Sequence, residues 1–371
     1  MDLGLFPVSG TALAKWFFRC FLELLSVASA SPLIKFMPSV LRRRFFLATM
    51  QSQPGITSRI LAFIKIAFLV AIVAYLIATF PKKNWDSLIQ QDKNWFLLGQ
   101  AFIIILIAHL FTFWRWQILV QSLGVHFSLI EAIRLGFLGT LLNLVSVGSV
   151  GGDVFKAIEA ARKAEKKRAE VVASVLVDRA LGLLGLFLVA GIGLSIATTL
   201  TPKMKWILLG AIVFSCVGLA VLLIIVLFGH RVPILWINRI PLAGHTLHRV
   251  AHACMVFQGR PRLVVELLGA SLMVHCCFTV ACALISNSLY AETPSLAEHF
   301  MTIPPAMAAA TLPLTPGGVG VQEMAIDNLF RELPNLPETF SGLVVASVFR
   351  ALLICVALIG AVYYFTGIGK K

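Results

Sequence analysis

Two arginines inside long apolar segments are the residues of this sequence best suited to bind an anion. Arg179 and Arg350 each lie in a run typical of a membrane helix, where an ionised side chain costs about 2.5–3.5 kcal/mol. A guanidinium group presents a planar fork of N–H donors, so the two side chains together could grip a phosphate or a carboxylate. The structural alternative is that each arginine pairs with a nearby acid, with Asp178 and Glu323 as the candidates, or extends to the lipid headgroups.

Two acids and a lysine follow glycine-rich breaks in the apolar pattern. A helix that begins after such a break directs its first backbone N–H groups at the break and favours an anion there. The acids could equally cap those helix starts. The candidate set comprises the phosphate-binding cations Arg179, Arg350 and Lys156, the gating or counter-charges Asp153, Asp178 and Glu323, and the hairpin glycines Gly151, Gly152, Gly317, Gly318 and Gly320.

Other polar motifs indicate structure rather than chemistry. His245, His248 and His252 fall on one helical face beside Arg249. Metal binding would need a fourth ligand and a carboxylate that orients the histidines. Neither is evident, so we expect a basic interfacial helix. The string Trp114-Arg115-Trp116 predicts an aromatic belt with an anchoring cation. No catalytic triad, phosphate-binding loop, dinucleotide fingerprint or HExxH motif occurs, and we expect no metal and no cofactor.

The elements that must position these residues are membrane helices. Of the 371 residues, 59% are apolar and 13% are charged, and the mean hydropathy is +0.91, whereas a soluble domain is about half apolar and about a quarter charged. The net charge of +14 lies in loops, which fits the cytoplasmic loops of a membrane protein better than a nucleic-acid-binding surface. The predicted fold is an all-α polytopic bundle. Its six full spans, each reaching the roughly 20 residues that a bilayer requires, are Arg59–Phe80, Trp95–Leu119, Val171–Ala197, Trp206–Phe228, Leu263–Tyr290 and Leu343–Phe365.

Two further segments, Phe127–Lys156 and Met301–Glu323, are apolar but interrupted by glycine or proline. Broken backbone is tolerated at membrane depth only where protein or a wet cavity surrounds it. Both segments are therefore predicted to be re-entrant hairpins. Each is followed by a related string, ASVLVDRAL after the first and ASVFRAL after the second, which predicts a repeat with halves at about 127–228 and 295–369.

The distribution of basic residues predicts the topology. If the N-terminus is cytoplasmic and both hairpins return to the side from which they enter, most of the 31 lysine and arginine residues face the cytoplasm, including those of the loop 156–168. A full crossing by the first hairpin would place that loop outside, against the positive-inside rule. The two halves then have inverted topology, which is a common plan of secondary transporters. We expect a multi-pass protein of the cell inner or plasma membrane, with both termini cytoplasmic.

The N-terminal residues 1–58 are expected to form a cytoplasmic or interfacial extension of the transmembrane domain, 59–371. Charged residues recur at spacings of four within the apolar stretch 12–30, which predicts a helix lying in the membrane interface rather than crossing it. The alternative is that translation starts at Met50.

The chain resembles a known family at residues already singled out. Four strings occur in the order found in that family: Trp114-Arg115-Trp116, Gly151-Gly152-Asp153-Val-Phe-Lys156, Asp178-Arg179 and Pro316-Gly317-Gly318-Val-Gly320-Val-Gln-Glu323. They resemble the transmembrane region of lysylphosphatidylglycerol synthase/flippase proteins and their stand-alone bacterial and archaeal relatives, over roughly residues 59–369. The chain departs from the family pattern at Lys156, where arginine is usual, and at Gly148-Ser149-Val150, where Pro-Gly is common.

The resemblance implies lipid translocation between leaflets. In full-length members a soluble domain transfers lysine from charged tRNA to phosphatidylglycerol. No segment here is long and polar enough for that domain, so lysyltransferase activity is not expected. The leading hypothesis is a flippase-like transporter for an anionic phospholipid or a polyprenyl-phosphate-linked lipid, with membrane lipids and no nucleic acid as partners. The alternatives are a non-transporting membrane partner of a glycosyl- or aminoacyltransferase and a membrane-embedded transferase.

Overall fold

The structure, a computed structural model, describes residues 93–145, 151–164, 167–196, 200–228, 254–311, 315 and 318–366. The chain divides into two units, 1–77 and 78–371, and all described residues belong to the second. Four predictions lie outside the described residues, wholly or in part. They concern the extension 1–58, the span Arg59–Phe80, the histidine-bearing helix around His248, and the tips of the two glycine-rich breaks, including Gly317.

The described residues form α-helices and one short 3-10 helix, with no strand among them. The elements are α1 (Trp95–Ser122), α2 (Leu129–Val145), α3 (Gly151–Lys163), α4 (Arg168–Ser195), α5 (Pro202–Phe228), the 3-10 helix Met255–Phe257, α6 (Pro261–Leu289), α7 (Leu296–Ala310), α8 (Val321–Phe330) and α9 (Gly342–Thr366). Among the described residues, five segments are long and apolar enough to cross a membrane, namely α1, α4, α5, α6 and the part Gly342–Ile359 of α9. The prediction of an all-α, multi-pass membrane protein is confirmed at this level.

Helices α2 and α3 form an antiparallel hairpin in the first broken segment. Near its open end, Lys163 of α3 forms an ion pair with Glu131 of α2. Near its tip, the Gly152 backbone N–H donates to Asn143 Oδ1 at 2.8 Å. A Cβ atom at Gly152 would collide with the carbonyl oxygen of Gly139, so the close approach of the two helix backbones requires glycine there.

Helices α7 and α8 form the second antiparallel hairpin. The ring of His299, near the start of α7, packs edge-on against Phe330, the last residue of α8, with the ring centroids 5.2 Å apart. The chain reverses between the helices, where Gly318 and Gly320 have φ values of +69° and +84°. Residues other than glycine rarely adopt this left-handed conformation, so these glycines permit the turn that places the start of α8.

Two prolines of the second broken segment lie before its break, inside a helix. Pro304 and Pro305 are inside α7, which continues to Ala310. A proline removes the helix hydrogen bond to the carbonyl four residues earlier, and the carbonyl that Pro304 leaves free is that of Phe300. This carbonyl lies so close to Gly193 of α4 that a Cβ atom there would collide with it. A neighbouring helix thus covers the interrupted turn, as internal prolines in membrane helices require.

The helices fall into two sets that correspond element by element. Helix α1 lies antiparallel to α6: the Asn94 N–H, at the start of α1, donates to Ser288 O near the end of α6 at 2.9 Å, whereas Arg115, later in α1, reaches Ser271, earlier in α6. Helix α2 packs on α9 and α7 packs on α4, while α3 packs on α4 and α8 packs on α9. Exchanging α1–α4 for α6–α9 therefore reproduces these contacts.

Helix α5 lies outside this correspondence. It packs on α4 and on the 3-10 helix, and the residues that it buries are Met204, Ala211 and Ser215. Its remaining surface is largely apolar and exposed, as expected of a helix that faces lipid. The main apolar core joins α1, α6, α7, α8 and α9, and α2, α4 and α5 contribute one buried residue each, Phe137, Leu194 and Met204.

Candidate functional site: two acid–arginine clusters

The first cluster centres on Asp153, in the first turn of α3. Its Oδ1 atom accepts from Lys156 Nζ at 2.8 Å, and its Oδ2 atom accepts from Arg179 Nε of α4. Asp153 and Lys156 are buried, whereas 39% of the Arg179 side chain is exposed. The Lys156 ammonium lies 5.4 Å from the centroid of the Trp116 ring, which is within the range of a cation–π interaction. One carboxylate thus holds two cations from two helices.

The second cluster centres on Glu323, in the first turn of α8. Its Oε1 atom accepts from Arg350 Nε of α9 at 2.7 Å, and its Oε2 atom accepts from the Gly320 N–H at 2.8 Å. Arg350 Nη2 donates to Gln322 Oε1 at 2.8 Å and to the Gly318 carbonyl at 3.2 Å. Glu323, Gln322 and Arg350 are all buried. This arginine therefore binds both the acid and the backbone of the glycine turn.

The two clusters occupy corresponding positions in the two sets of helices. In each, an acid in the first turn of the second hairpin helix binds an arginine of the following long helix, and the two residues are 26 and 27 positions apart in sequence. Each ion pair therefore ties a hairpin to the helix that follows it. The meeting of Arg179 and Arg350 across a common cavity stays a prediction.

The sequence identified these arginines and left their partners open. Arg350 does pair with Glu323, as the structural alternative proposed. For Arg179 that alternative named Asp178 as a candidate, but Arg179 pairs with Asp153, which was among the predicted counter-charges. Successive residues of an α-helix point about 100° apart, so Asp178 and Arg179 face different neighbours. The spacing of candidate acids along the chain could not show which helices pack together.

A further buried ion pair escaped the sequence reasoning. Arg115 Nε donates to Asp178 Oδ1 at 2.8 Å, and the Arg115 Nη1 and Nη2 groups donate to Ser271 Oγ at 2.7 Å and to the Asp178 carbonyl at 3.1 Å. The prediction that Arg115 anchors an aromatic belt is wrong, because Arg115 and Trp116 are 4% and 1% exposed. The available signal was the position of Arg115 inside a predicted span, which makes an intramembrane charge as costly there as at Arg179.

Among the described residues, three acidic side chains are buried, Asp153, Asp178 and Glu323, and each is bound by at least one cation. Guanidinium groups bind phosphate with the same two-pronged geometry that they use for carboxylate. A phosphate that reached these arginines would therefore compete with the acids that hold them. The arrangement is suited to reversible binding of an anion.

Comparison with known proteins is consistent with this chemistry. No curated protein matches the chain. The family model described as "Lysylphosphatidylglycerol synthase TM region" matches residues 62–361, a range that contains both hairpins and the ion pairs of all three buried carboxylates. The match also confirms the family resemblance drawn from the glycine and arginine motifs. The chain therefore belongs to the lysylphosphatidylglycerol synthase transmembrane-region family.

Proposed function

We propose that this protein moves an anionic lipid, either a phospholipid or a polyprenyl-phosphate-linked lipid, between the leaflets of the cell inner or plasma membrane. Membership of the family indicates a membrane protein with a lipid-related function. The observation that carries the proposal is the pair of acid–arginine clusters, each of which ties a helical hairpin to the next helix. The cations are Arg179, Lys156 and Arg350, and the counter-charges are Asp153, Asp178 and Glu323.

The packing supports an inverted repeat. Helices α1 and α6 are antiparallel, and they begin two sets of helices with corresponding contacts. An inverted repeat requires this antiparallel relation, and it would bring the two hairpins in from opposite faces of the membrane. Broken helices that meet near the midplane are where secondary transporters bind their cargo. In this proposal both termini face the cytoplasm.

Exchange of ion-pair partners supplies the coupling. A headgroup phosphate that takes an arginine from its carboxylate removes the bond between hairpin and helix. Because the phosphate and the carboxylate compete for the same fork, binding of lipid and release of the hairpin become one event. Movement of the released hairpin would then expose the headgroup to the other side. A ligand can drive such a change only through its different affinity for the two states, and the partner exchange supplies that difference.

Leaflet exchange in proteoliposomes tests the proposal. Phosphatidylglycerol that carries a fluorophore on its acyl chain is quenched from outside by dithionite, so the quenched fraction reports transfer between leaflets. The wild-type protein should raise the exchange rate well above that of protein-free liposomes. Arg179→Gln should lower the rate by about tenfold or more, as expected for the loss of a charge-assisted bond. The matched control is Arg331→Gln. Arg331 directly follows α8, is exposed, and pairs with Asp327 of that helix.

The outcomes separate the proposed transporter from the alternative of a lipid-presenting partner of a transferase. Exchange that depends on Arg179 and not on Arg331 supports transport. Exchange no faster than in protein-free liposomes refutes it. Tight lipid binding without exchange would favour the lipid-presenting partner instead.

A further inference from the structure

The buried ion pair between Arg115 and Asp178 has an apolar counterpart in the second set of helices. Asp178 directly precedes the arginine of the first cluster, and Phe349 directly precedes the arginine of the second. There, α6 contacts Phe349 through the ring of Phe278, with the ring centroids 5.8 Å apart. Replacement of a buried ion pair by apolar side chains is often neutral or stabilising. Helix packing therefore does not require the ion pair of the first set, which indicates a function for it.

His275 of α6 adjoins this ion pair. It lies one turn after Ser271, which accepts from Arg115, and its Nε2 atom lies 3.0 Å from the carbonyl oxygen of Gly182 in α4. A Cβ atom at Gly182 would lie 3.3 Å from Arg115 Nη2, so this glycine borders both side chains. Because a carbonyl oxygen only accepts, the hydrogen of the neutral imidazole is on Nε2. The Nδ1 atom then carries a lone pair; it is buried and has no hydrogen-bond partner among the described residues.

The ionisable groups around His275 come from three helices. They are Arg115 and His109 of α1, Asp178 of α4, and the thiols of Cys276 and Cys277 beside it on α6. Of the other elements that pack on α6, α7 places its histidine three turns further on, α9 directs its arginine to α8, and the 3-10 helix has no ionisable residue. Among the groups near His275, Arg115 is a cation that cannot lose its charge.

Arg115 and a protonated His275 exclude each other at this place. Two cations side by side in an apolar interior repel each other, so His275 is neutral while Arg115 lies against Gly182. Protonation of Nδ1 therefore requires Arg115 to leave this position, which breaks its bonds to Asp178 and Ser271. Proton binding is thus tied to a rearrangement of α1 against α4 and α6.

The turn of α4 that binds Arg115 also holds the first hairpin. Asp178 binds Arg115, and the next residue, Arg179, binds Asp153 of α3. A movement that draws Arg115 from Asp178 therefore acts on the turn to which the hairpin is tied. Release of the hairpin and protonation of His275 then belong to one rearranged state. Two ligands that favour the same state reinforce each other's binding.

We propose that His275 is a proton-binding site through which a proton gradient drives the movement of lipid. The inference rests on the proposed function and adds its energy source. Without lipid, His275 is neutral and the pair between Arg115 and Asp178 is intact. In the lipid-bound state a proton from water on one side forms the N–H bond at Nδ1, and it returns to water on the other side when the pair forms again. Lipid and proton therefore cross together, as intramembrane histidine and acidic residues relay protons in transporters.

Redistribution of lipid under a pH gradient tests the inference. Proteoliposomes of phosphatidylcholine carry a trace of phosphatidylglycerol with a fluorophore on its acyl chain, and external dithionite reports the share in the outer leaflet. Potassium and valinomycin hold the membrane potential at zero. With the wild-type protein, the labelled lipid should accumulate on the less acidic side. Cotransport of one proton changes the ratio between the leaflets by up to about tenfold per pH unit, and nigericin, which collapses the gradient, should abolish the change.

Two variants and a control assign the response to this site. His275→Gln keeps a donor for the Gly182 carbonyl but cannot take up a proton, so it should lose the redistribution. Arg115→Met with Asp178→Leu should lose it too, because it removes the cation that excludes the proton and leaves His275 unchanged. The matched control is His126→Gln, at an exposed position between α1 and α2, which should respond like the wild type. Protein-free liposomes give the spontaneous redistribution, which is subtracted.

The outcomes separate this inference from the proposed function. Leaflet exchange that is fast but indifferent to the gradient would overturn the proton site and leave the proposed transport standing. A full gradient response in folded His275→Gln would overturn the proton site as well, because another group would then carry the proton. If His275→Gln does not fold, the double variant decides, and a full response in that variant has the same meaning. The absence of any exchange would refute the proposed function and this inference with it.

Discussion

Removal of the carboxylate at Asp178 should destabilise the protein strongly, because it leaves the buried cation of Arg115 without its counter-charge. The two side chains are 5% and 7% exposed and lie 2.8 Å apart. Breaking a buried ion pair by removal of one partner costs about 3–5 kcal/mol. In Asp178→Leu, Arg115 would keep its bonds to Ser271 Oγ and to the backbone carbonyl of residue 178. We therefore expect the lower end, about 3 kcal/mol.

Companion variants divide this effect into charge and hydrogen bonding. Asp178→Asn keeps an oxygen acceptor for Arg115 Nε but loses the charge, so the expected cost is about 1.5–3 kcal/mol. Ser271→Ala removes one hydrogen bond from a charged donor and should cost about 1.5 kcal/mol. The double variant Arg115→Met with Asp178→Leu replaces both charges by apolar groups and should recover most of the loss, since such replacements are often nearly neutral.

The assay is the free energy of unfolding in mixed micelles, obtained by titration with a denaturing detergent and followed by helical circular dichroism. Asp178→Leu should be the most destabilised variant, followed by Asp178→Asn and then Ser271→Ala. The double variant should be more stable than Asp178→Leu. A cost for Asp178→Leu no larger than that for Ser271→Ala would refute the view that this ion pair compensates a buried cation. A double variant that is less stable than both Arg115→Met and Asp178→Leu would refute it as well.

Three further predictions concern topology, the second cluster and an extramembrane ion pair. In a variant without natural cysteines, an external thiol reagent should label a cysteine placed at Lys203 and should not label one in the loop 156–168; external labelling of the loop would refute the inverted repeat. Arg350→Gln should cost about 3–5 kcal/mol of unfolding free energy, and neutralising its acid partner as well should restore stability, whereas a stable single variant would contradict a bracing role. Hydrogen bonds from Thr201 and Lys203 lower the pKa of Glu332, so its contribution to stability is present above about pH 5 and lost as the pH falls through the lowered value. Glu332→Gln should therefore lower Tm slightly at pH 7 and by a progressively smaller amount as the pH falls below about 5, and an effect that does not change with pH would refute this assignment.

The sequence by itself determined the class of the protein and the places where its helices break. Hydropathy over about 20 residues is a local property that sets whether a segment can cross a bilayer, and five such segments occur in the part of the chain that the structure describes. Glycine acts locally too, through the conformations that it permits, as at Gly318 and Gly320. The prolines show the limit of this reasoning. Pro304 and Pro305 did not end α7, because a neighbouring helix covers the turn that they interrupt.

Only the tertiary structure decided which charges meet. Arg115 and Asp178 are 63 positions apart, and no local pattern relates them. Asp178 and Arg179 are adjacent in sequence, yet they bind partners in α1 and α3 because successive residues of a helix face different directions. The pairing of Asp153 with cations of two helices likewise appears only when α3 and α4 are packed together. Pairing inside a membrane depends on which helices are neighbours, and that is a property of the packed bundle.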